Sequence, residues 1–289
     1  MDPRGTTSFT GENVRRLNFI NESPSHHFRR HFRQGLRSHI FEVLDAEDVL
    51  KETQGEIRGG TRWFPRAVPK QMLRILRTRF ASLDQVLDEV NKYSMILKFL
   101  GPELMAVSQE FIVEHQGGDG PEILLCGLQE YVKGEVLDPW NLQGDRPLDN
   151  FFQMHFPGEI CAKEWVSKAL ESISAFVGQI KNMIVDAGYI PDLAGNGNLL
   201  ITAQGDLKLV DINNIIEAHC NDDIFLDDRN YPSCDKSVEV LAILEQKILK
   251  NNKFLDDRLY RHFFTPERRE RVRQLEETFY QKLASVSGT

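Results

Sequence analysis

Apolar residues in the first half of the chain come in short stretches of the length that β-strands have. Residues 39–44 and 48–51 are two such stretches, and the polar residues 45–47 between them are typical of a turn. The pattern therefore predicts a β-hairpin. Two more strands are predicted at residues 110–114 and 123–132, where apolar positions again cluster between turn-forming residues.

Helical spacing dominates three longer segments. Ser82 followed three residues later by Gln85 is a capping-box pattern, and it predicts a helix that ends at Gly101 and Pro102. Residues 164–186 carry a continuous apolar stripe at helical spacing, and Gly188 is the expected C-cap. From residue 235 onward the pattern is helical to the end of the chain.

Strands that precede helices in this way predict an α+β protein. Residues 1–27 are polar and lack periodicity, so they form an expected N-terminal extension. Residues 28–133 are then a small β-rich lobe, and residues 134–289 a mainly helical lobe. Residues 54–70, rich in Gly, Arg and Pro, are predicted to be a loop or insertion.

Composition and charge narrow the functional classes. The chain has 289 residues and a net charge of −8, which argues against a general nucleic-acid-binding protein. Its N-terminus lacks the apolar core of a signal peptide, and nowhere do enough apolar residues follow one another to span a membrane. Its four cysteines form no C-x-x-C pair. These features predict a soluble cytoplasmic protein.

The strongest candidate chemistry lies in residues 190–211. Asp192 follows the long helix, Asn198 opens a short strand, and Asp211 closes the next strand after a hairpin turn at residues 204–206. Carboxylate and amide oxygens are the ligands that Mg²⁺ prefers, and a nearby carboxylate can accept a proton from an attacking hydroxyl. The alternative is that all three are ordinary turn residues.

This segment resembles the catalytic and metal loops of the protein-kinase-like superfamily, whose pattern is H-R-D-L-x-x-x-N followed by D-F-G. Asp192-Leu193 resembles the catalytic Asp-Leu, Asn198 the metal-binding Asn, and Asp211 the Asp of D-F-G. The resemblance implies a two-lobed kinase-like fold, ATP and Mg²⁺ as cofactors, Asp192 as the catalytic base, and Asn198 and Asp211 as metal ligands.

Other parts of the family pattern follow in the expected order. The resemblance implies that Lys51 holds the ATP phosphates as the lysine of the third strand, and that Glu89 on the following helix pairs with it, with Asp88 as the competing choice. It also implies that the backbone from Glu130 to Val132 forms the hinge that binds adenine. Asp235 resembles the buried Asp that supports the catalytic loop.

The segment also departs from the family pattern. Ile190-Pro191 replaces His-Arg, Asn213 replaces the Gly of D-F-G, and the longer spacing from Asp192 to Asn198 makes Asn196 an alternative ligand. The short interval between Asp211 and Asp235 leaves little room for a segment that binds a protein substrate.

We therefore expect a phosphotransferase whose hydroxyl-bearing acceptor is a small molecule, a sugar or a lipid. The alternative is a pseudokinase that acts as a nucleotide-binding or protein-interaction scaffold. The His- and Arg-rich residues 26–39 are compatible with a loop over the ATP phosphates, with a solvated surface, or with binding of RNA or acidic lipid.

Overall fold

The computed structural model describes residues 3–6, 8–17, 20, 25–33, 35, 37–117, 120–158, 161–218 and 221–287. The fold mixes helices and strands, with a sheet-rich N-terminal part and a helical C-terminal part. It divides into two compact units, the first formed by residues 1–92 and 106–131 and the second by residues 93–105 and 132–289. None of the helices in the described part of the chain has the length and apolar character needed to cross a bilayer.

The first unit is built on a five-stranded antiparallel sheet with the spatial order β1-β2-β5-β7-β6. Its strands are β1 (His26–Arg30), β2 (Ser38–Asp45), β5 (Gln71–Leu76), β6 (Ser108–Gly117) and β7 (Gly120–Glu130). The strands predicted at 39–44, 110–114 and 123–132 are thereby confirmed, and the predicted turn between the last two falls partly on residues outside the described ranges.

Side chains from one face of this sheet form the core of the first unit. Phe41, Leu73 and Leu124 are fully buried there. They are joined by Phe9 and Val14, which lie just before and within the short helix α1 (Gly11–Arg15). Thr10 caps α1 through a side-chain hydrogen bond from the Asn13 amide. Part of the predicted N-terminal extension therefore completes the hydrophobic core of the sheet.

The second strand predicted for the first hairpin is wrong. Residues from Ala46 to Gln54 form the helix α2, which begins after the N-cap Asp45, whose side chain accepts a hydrogen bond from the Glu47 amide at 2.9 Å. The partner of β2 in the hairpin is β1, which lies before it. The predicted loop after α2 contains a small hairpin of β3 (Glu56–Arg58) and β4 (Thr61–Trp63).

Helix α3 (Leu83–Leu104) begins in the first unit and ends in the second. Its predicted cap is confirmed, since the Gln85 amide donates to Ser82 and the Ala81 amide donates to the Gln85 side chain. Gly101 has a φ of 62° and interrupts the helix, where the sequence predicted its end. One further turn follows because Pro102 is accommodated at the start of a helical turn.

The second unit packs helices around a large apolar core. Trp165, Ile173 and Phe176 of α5 lie at its centre, and Gly188 caps that helix with a φ of 72°, as predicted. The helices are α4 (Pro147–His155), α5 (Ala162–Ala187), α6 (Ser233–Ile243), α7 (Arg258–Phe263) and α8 (Pro266–Ser287), with short 3₁₀ or π segments at Pro139–Asn141, Leu244–Ile248 and Phe254–Asp256.

Short strands on this helical framework carry the candidate site. β10 (Leu199–Thr202) pairs with both β8 (Gly134–Val136) and β11 (Leu207–Leu209), which confirms the hairpin predicted around residues 204–206. β9 (Tyr189–Pro191) pairs with β12 (Ile215–Glu217). The loop that contains Asp192 therefore leaves β9 and enters β10, and the segment that contains Asp211 connects β11 to β12.

Candidate functional site

Hydrogen bonds link two of the three residues proposed as a metal and catalytic site, Asp192 and Asn198, and reach the residue before the third, Asp211. The side-chain amide of Asn198 donates from Nδ2 to the carbonyl oxygen of Asp192 at 2.8 Å. The carbonyl oxygen of Asn198 accepts from the Val210 amide, next to Asp211, at 2.9 Å. The structure therefore joins Asp192 and Asn198 in one local network within the second unit, and Asp211 follows directly after Val210, a member of that network.

The carboxylate of Asp192 is held at both oxygens. Its Oδ1 accepts from the Ala194 amide and its Oδ2 from the side-chain amide of Asn214, each at 3.0 Å. The Asp192 amide donates back to the Asn214 carbonyl at 2.8 Å. Asn214 was not predicted from the sequence, and its position three residues after Asp211 was the only signal available.

The Asn198 side chain has a defined orientation because only its Nδ2 atom can donate. With Nδ2 on the Asp192 carbonyl, Oδ1 points away from that hydrogen bond. Asn198 is only 7% exposed. Gly195 closes one side, since a Cβ built at Gly195 lies 2.7–3.0 Å from the side-chain amide atoms of Asn198. The loop therefore fixes one amide oxygen, and it needs a residue without a side chain at position 195.

Asp211 adopts a local turn rather than a long-range contact. Its Oδ1 accepts from the Asn213 amide at 3.2 Å. Non-glycine residues with positive φ in the described ranges are Asn230 and Lys250. Asn213, which stands in the place of the Gly of D-F-G, therefore does not adopt the left-handed conformation that glycine favours.

Neighbouring side chains support the Asp192 loop from the helical side. Ser237 on α6 accepts from the Leu193 amide at 3.0 Å, and the indole of Trp140 donates to the Ala194 carbonyl at 3.1 Å. Lys236 lies 4.5 Å from the centre of the Trp140 ring. Burial opposes the charge on Lys236, but hydrogen bonds and charge from Glu239 and Glu276 outweigh it and raise its pKa.

Asp235 has a different partner from the one that the family pattern suggests. It is buried as expected, but its carboxylate binds the guanidinium of Arg268 on α8 at 2.6 and 3.1 Å. Support of the loop backbone, the function expected for Asp235, comes instead from Ser237, two residues later on the same helix.

The predicted phosphate-binding pair is not formed. Lys51 lies on α2 and not at the end of a strand, and its Nζ is 3.0 Å from Asp48 Oδ1. That hydrogen bond raises the pKa of Lys51. Glu89 lies on α3 as predicted, but its carboxylate is 2.8 Å from Nζ of Lys92.

Arg74 is the cation on the third strand of the sheet along the chain, β5. Its side chain is 3% exposed, pairs with Glu110 on β6, and donates to Ser108 Oγ at 3.0 Å. A Cβ built at Gly127 on β7 lies 2.7 Å from atoms of all three side chains, so glycine leaves the room this cluster needs. The sequence prediction missed Arg74 because residues 71–76 were not recognised as a strand.

The proposed hinge residues lie at the end of the sheet and just beyond it. Glu130 is the last residue of β7, and its amide donates to the Val107 carbonyl at 2.8 Å. That N–H is therefore already bonded within the first unit. Val132 is buried and belongs to the second unit.

The donor set suits a hard cation. Asp192, Asn198 and Asp211 offer only oxygen atoms, the ligand type of Mg²⁺, which usually takes one or two carboxylates and keeps water or phosphate as its other ligands. No cluster of three or more His, Cys, Asp or Glu side chains suited to a metal occurs among the residues that the structure describes. With Asn198 and Asp211 as the proposed ligands, the fit to Mg²⁺ depends on one carboxylate and one amide oxygen.

Comparison with known proteins gives no relative from which to transfer a function. No model of a known protein family matches this sequence, and no curated protein matches it.

Proposed function

We propose that this protein is an ATP- and Mg²⁺-dependent phosphotransferase of the protein-kinase-like superfamily, with a small molecule, a sugar or a lipid as the hydroxyl-bearing acceptor. The observation that carries the proposal is the hydrogen-bonded network that joins Asp192 to Asn198 and to Asn214, which lies three residues after Asp211. Turn residues without a shared role need no contact with one another, whereas these come from two separate loops.

Each residue has a distinct role in the proposed reaction. Asn198 presents Oδ1, and Asp211 its carboxylate, as ligands for Mg²⁺, which neutralises charge on the phosphates when bound. Asp192 orients the acceptor hydroxyl and takes its proton. The hydrogen bonds from Ala194 and Asn214 keep the Asp192 carboxylate in one rotamer, which matters because phosphoryl transfer depends on positioning.

The order of elements in the first unit also supports the proposal. In the five-stranded sheet, the third strand along the chain is followed by helix α3 and then by the fourth and fifth strands. This is the order that the family resemblance requires of the phosphate-binding strand, the helix and the hinge. In this proposal Arg74, and not Lys51, is the cation of the third strand.

Binding of Mg²⁺ and ATP is tested first. Thermal unfolding is measured with ATP and Mg²⁺, and with ATP and a chelator. A ligand at a hundred times its dissociation constant stabilises the folded state by about 2.7 kcal/mol, so the wild-type protein should melt at a higher temperature with Mg²⁺ present. Asp211→Asn should remove the Mg²⁺-dependent part of this shift.

The matched control is Asp206→Asn, which changes an aspartate in the turn of the adjacent hairpin. Asp206 binds Lys168 at the surface and is not in the network. The control variant should keep the full shift. No shift of the wild-type protein in about millimolar ATP, or an equal loss in both variants, rejects the proposed site.

Transfer is tested with γ-labelled ATP and a panel of sugars, polyols and lipid headgroup alcohols. Asp192→Asn should retain the Mg²⁺-dependent thermal shift and lose transfer, because the amide cannot accept the proton. Transfer that survives this substitution refutes the role of Asp192.

A binding scaffold without transfer is the second candidate. The position of Lys51 on α2 favours it, because the lysine expected to hold the ATP phosphates binds Asp48 instead. A Mg²⁺-dependent thermal shift together with no labelled product for any acceptor would select this candidate.

A further inference from the structure

A basic and apolar segment of the first unit lies between α2 and β5 in the chain. We call residues 56–70 the ribbon segment. It contains four cationic residues, Arg58, Arg62, Arg66 and Lys70, and one acidic residue, Glu56, in a chain of net charge −8. Arg58 pairs with Glu56 and Lys70 pairs with Asp45, so the positive charge that the segment offers to a partner rests on Arg62 and Arg66.

Large apolar side chains of the ribbon segment are exposed to solvent. The exposed fractions are 71% for Ile57, 58% for Trp63, 59% for Phe64 and 52% for Val68. Elsewhere in the described ranges such exposed side chains occur singly or in pairs, as at Phe225 and Leu226. So many exposed apolar side chains within one short segment favour a surface with a binding partner.

The backbone explains why these side chains find no core. Gly59 and Gly60 have φ values of 54° and 80°, as a tight two-residue hairpin turn requires. In the register of β3 and β4, Ile57 lies opposite Arg62, and Trp63 lies opposite Glu56. Paired residues share a face, so Ile57 and Trp63 lie on opposite faces, and both faces of the ribbon carry an apolar and a charged residue.

A two-stranded ribbon that is uncovered on both faces is marginally stable in water, and a partner that covers it adds stability. The partner must accept cations and apolar side chains together. An anionic lipid surface does so, because tryptophan and phenylalanine favour the interfacial region while arginine binds the headgroups.

We propose that the ribbon segment docks on the surface of an anionic lipid bilayer. Single-stranded RNA also binds cations and aromatic rings, but it uses the rings for stacking. Ile57 and Val68 are aliphatic and cannot stack on bases, whereas they gain from transfer into a lipid interface. The apolar composition of the segment therefore favours lipid. This inference is independent of the proposed phosphotransferase activity.

The test is co-sedimentation of the full chain with vesicles of phosphatidylcholine alone or of phosphatidylcholine with phosphatidylserine. We expect binding to the mixed vesicles and little to the neutral ones. Each arginine near an anionic surface contributes about a fivefold gain in partitioning, so Arg62→Gln with Arg66→Gln should reduce binding on the order of twentyfold. Trp63→Ser with Phe64→Ser should reduce it at least about tenfold.

The matched control is Met154→Ser with Val185→Ser, which removes two apolar side chains of similar exposure, 74% and 78%, from the second unit. It should bind vesicles like the wild-type protein. All variants change exposed residues, and unchanged thermal unfolding without vesicles verifies that each is folded.

Two results overturn the inference. One is that the wild-type protein binds neutral and anionic vesicles equally well, or binds neither kind of vesicle. The other is tight binding of single-stranded RNA that the Trp63 and Phe64 substitutions abolish while binding to mixed vesicles is unchanged.

Discussion

The ion pair between Arg268 and Asp235 provides a quantitative test of the packing between α6 and α8. Arg268 Nε and one terminal nitrogen donate to the two oxygens of Asp235, and the side chains are only 6% and 4% exposed. The guanidinium also donates to the carbonyl oxygens of Asn221 and Asp223 and lies over the ring of Phe263. Among the described residues, Arg268 is the cation that pairs with the Asp235 carboxylate.

Arg268→Met keeps the length of the side chain and removes the charge. The Asp235 carboxylate is then left buried without a counter-ion, which costs about 3–5 kcal/mol. The Asn221 and Asp223 carbonyls lie on exposed residues, where water replaces the lost hydrogen bonds, so they add little. We therefore expect the free energy of unfolding of the second unit to fall by about 3–5 kcal/mol.

The double variant Arg268→Met with Asp235→Leu removes both charges and should recover most of this loss. A coupling energy of about 3 kcal/mol is expected from the four proteins of the cycle. Unfolding in urea is followed by tryptophan fluorescence, to which Trp165 contributes from the core of the second unit, where it is 1% exposed. Arg273→Met is the matched control on α8, because Arg273 forms only exposed pairs with Glu270 and Glu277 and should matter little.

A loss below about 1 kcal/mol for Arg268→Met, as for a surface pair, refutes the reasoning. A double variant as unstable as the single one does so too, because the penalty would then not come from the isolated carboxylate.

Three more substitutions test other parts of the structure. Gly195→Ala should displace the Asn198 amide and lower the Mg²⁺-dependent affinity for ATP about tenfold or more. Gly178→Ala, whose added Cβ meets no atom, should leave this affinity unchanged in the same thermal assay. Burial lowers the pKa of His39 below 6.5, although the hydrogen bond from its ring to the Pro3 carbonyl acts in the opposite direction. As the pH falls through 6.5, His39 therefore binds a proton in the unfolded chain but not in the folded one. The free energy of unfolding should therefore decrease on acidification below about pH 6.5, until the pKa of His39 in the folded protein is reached. In urea titrations, His39→Gln should flatten this pH dependence, and an unchanged slope would show that His39 does not cause it. Lys51→Ala should leave both the melting temperature and the Mg²⁺-ATP shift unchanged, because Lys51 forms only an exposed pair with Asp48, and a lost shift would restore its proposed phosphate role.

The sequence was sufficient where periodicity extended over many residues. The stripe of α5 predicted both the buried face of that helix and its end at Gly188, because a long apolar repeat at helical spacing fits an amphipathic helix and not a strand or a loop. The hairpin of β10 and β11 was predictable for a related reason, since two short apolar stretches flank a turn that contains Gly205.

Short segments gave wrong or missing predictions. The stretch 48–51 is too brief to distinguish a strand from one turn of helix. The N-cap Asp45 decides in favour of the helix, but an aspartate at this position is equally typical of a turn. Strand β5 follows a Pro- and Arg-rich segment, and its Arg74 looks exposed in the sequence although Glu110 keeps it buried. A cation that depends on a partner on another strand cannot be recognised from its neighbours in the chain.

The candidate site was predictable in its composition but not in its connections. The sequence pattern predicts Asp192, Asn198 and Asp211 as site residues, and the structure joins the first two by a hydrogen bond. Their supports come from other segments, Asn214 before β12, Ser237 on α6 and Trp140 after β8. Only the tertiary fold sets which of many Asn, Ser and Trp side chains reach the loop.

The way the Asp192 loop is bonded has a consequence for its hydrogen exchange. Three successive amides, those of Asp192, Leu193 and Ala194, donate respectively to a backbone carbonyl, a helix hydroxyl and a side-chain carboxylate, although none belongs to a helix or a strand. The acceptor of the Ala194 amide lies within the loop, but those of the Asp192 and Leu193 amides lie on other segments, so local fraying cannot release these two amides together. These amides should exchange with deuterium only when the second unit opens as a cooperative whole, at rates close to those of its buried helices.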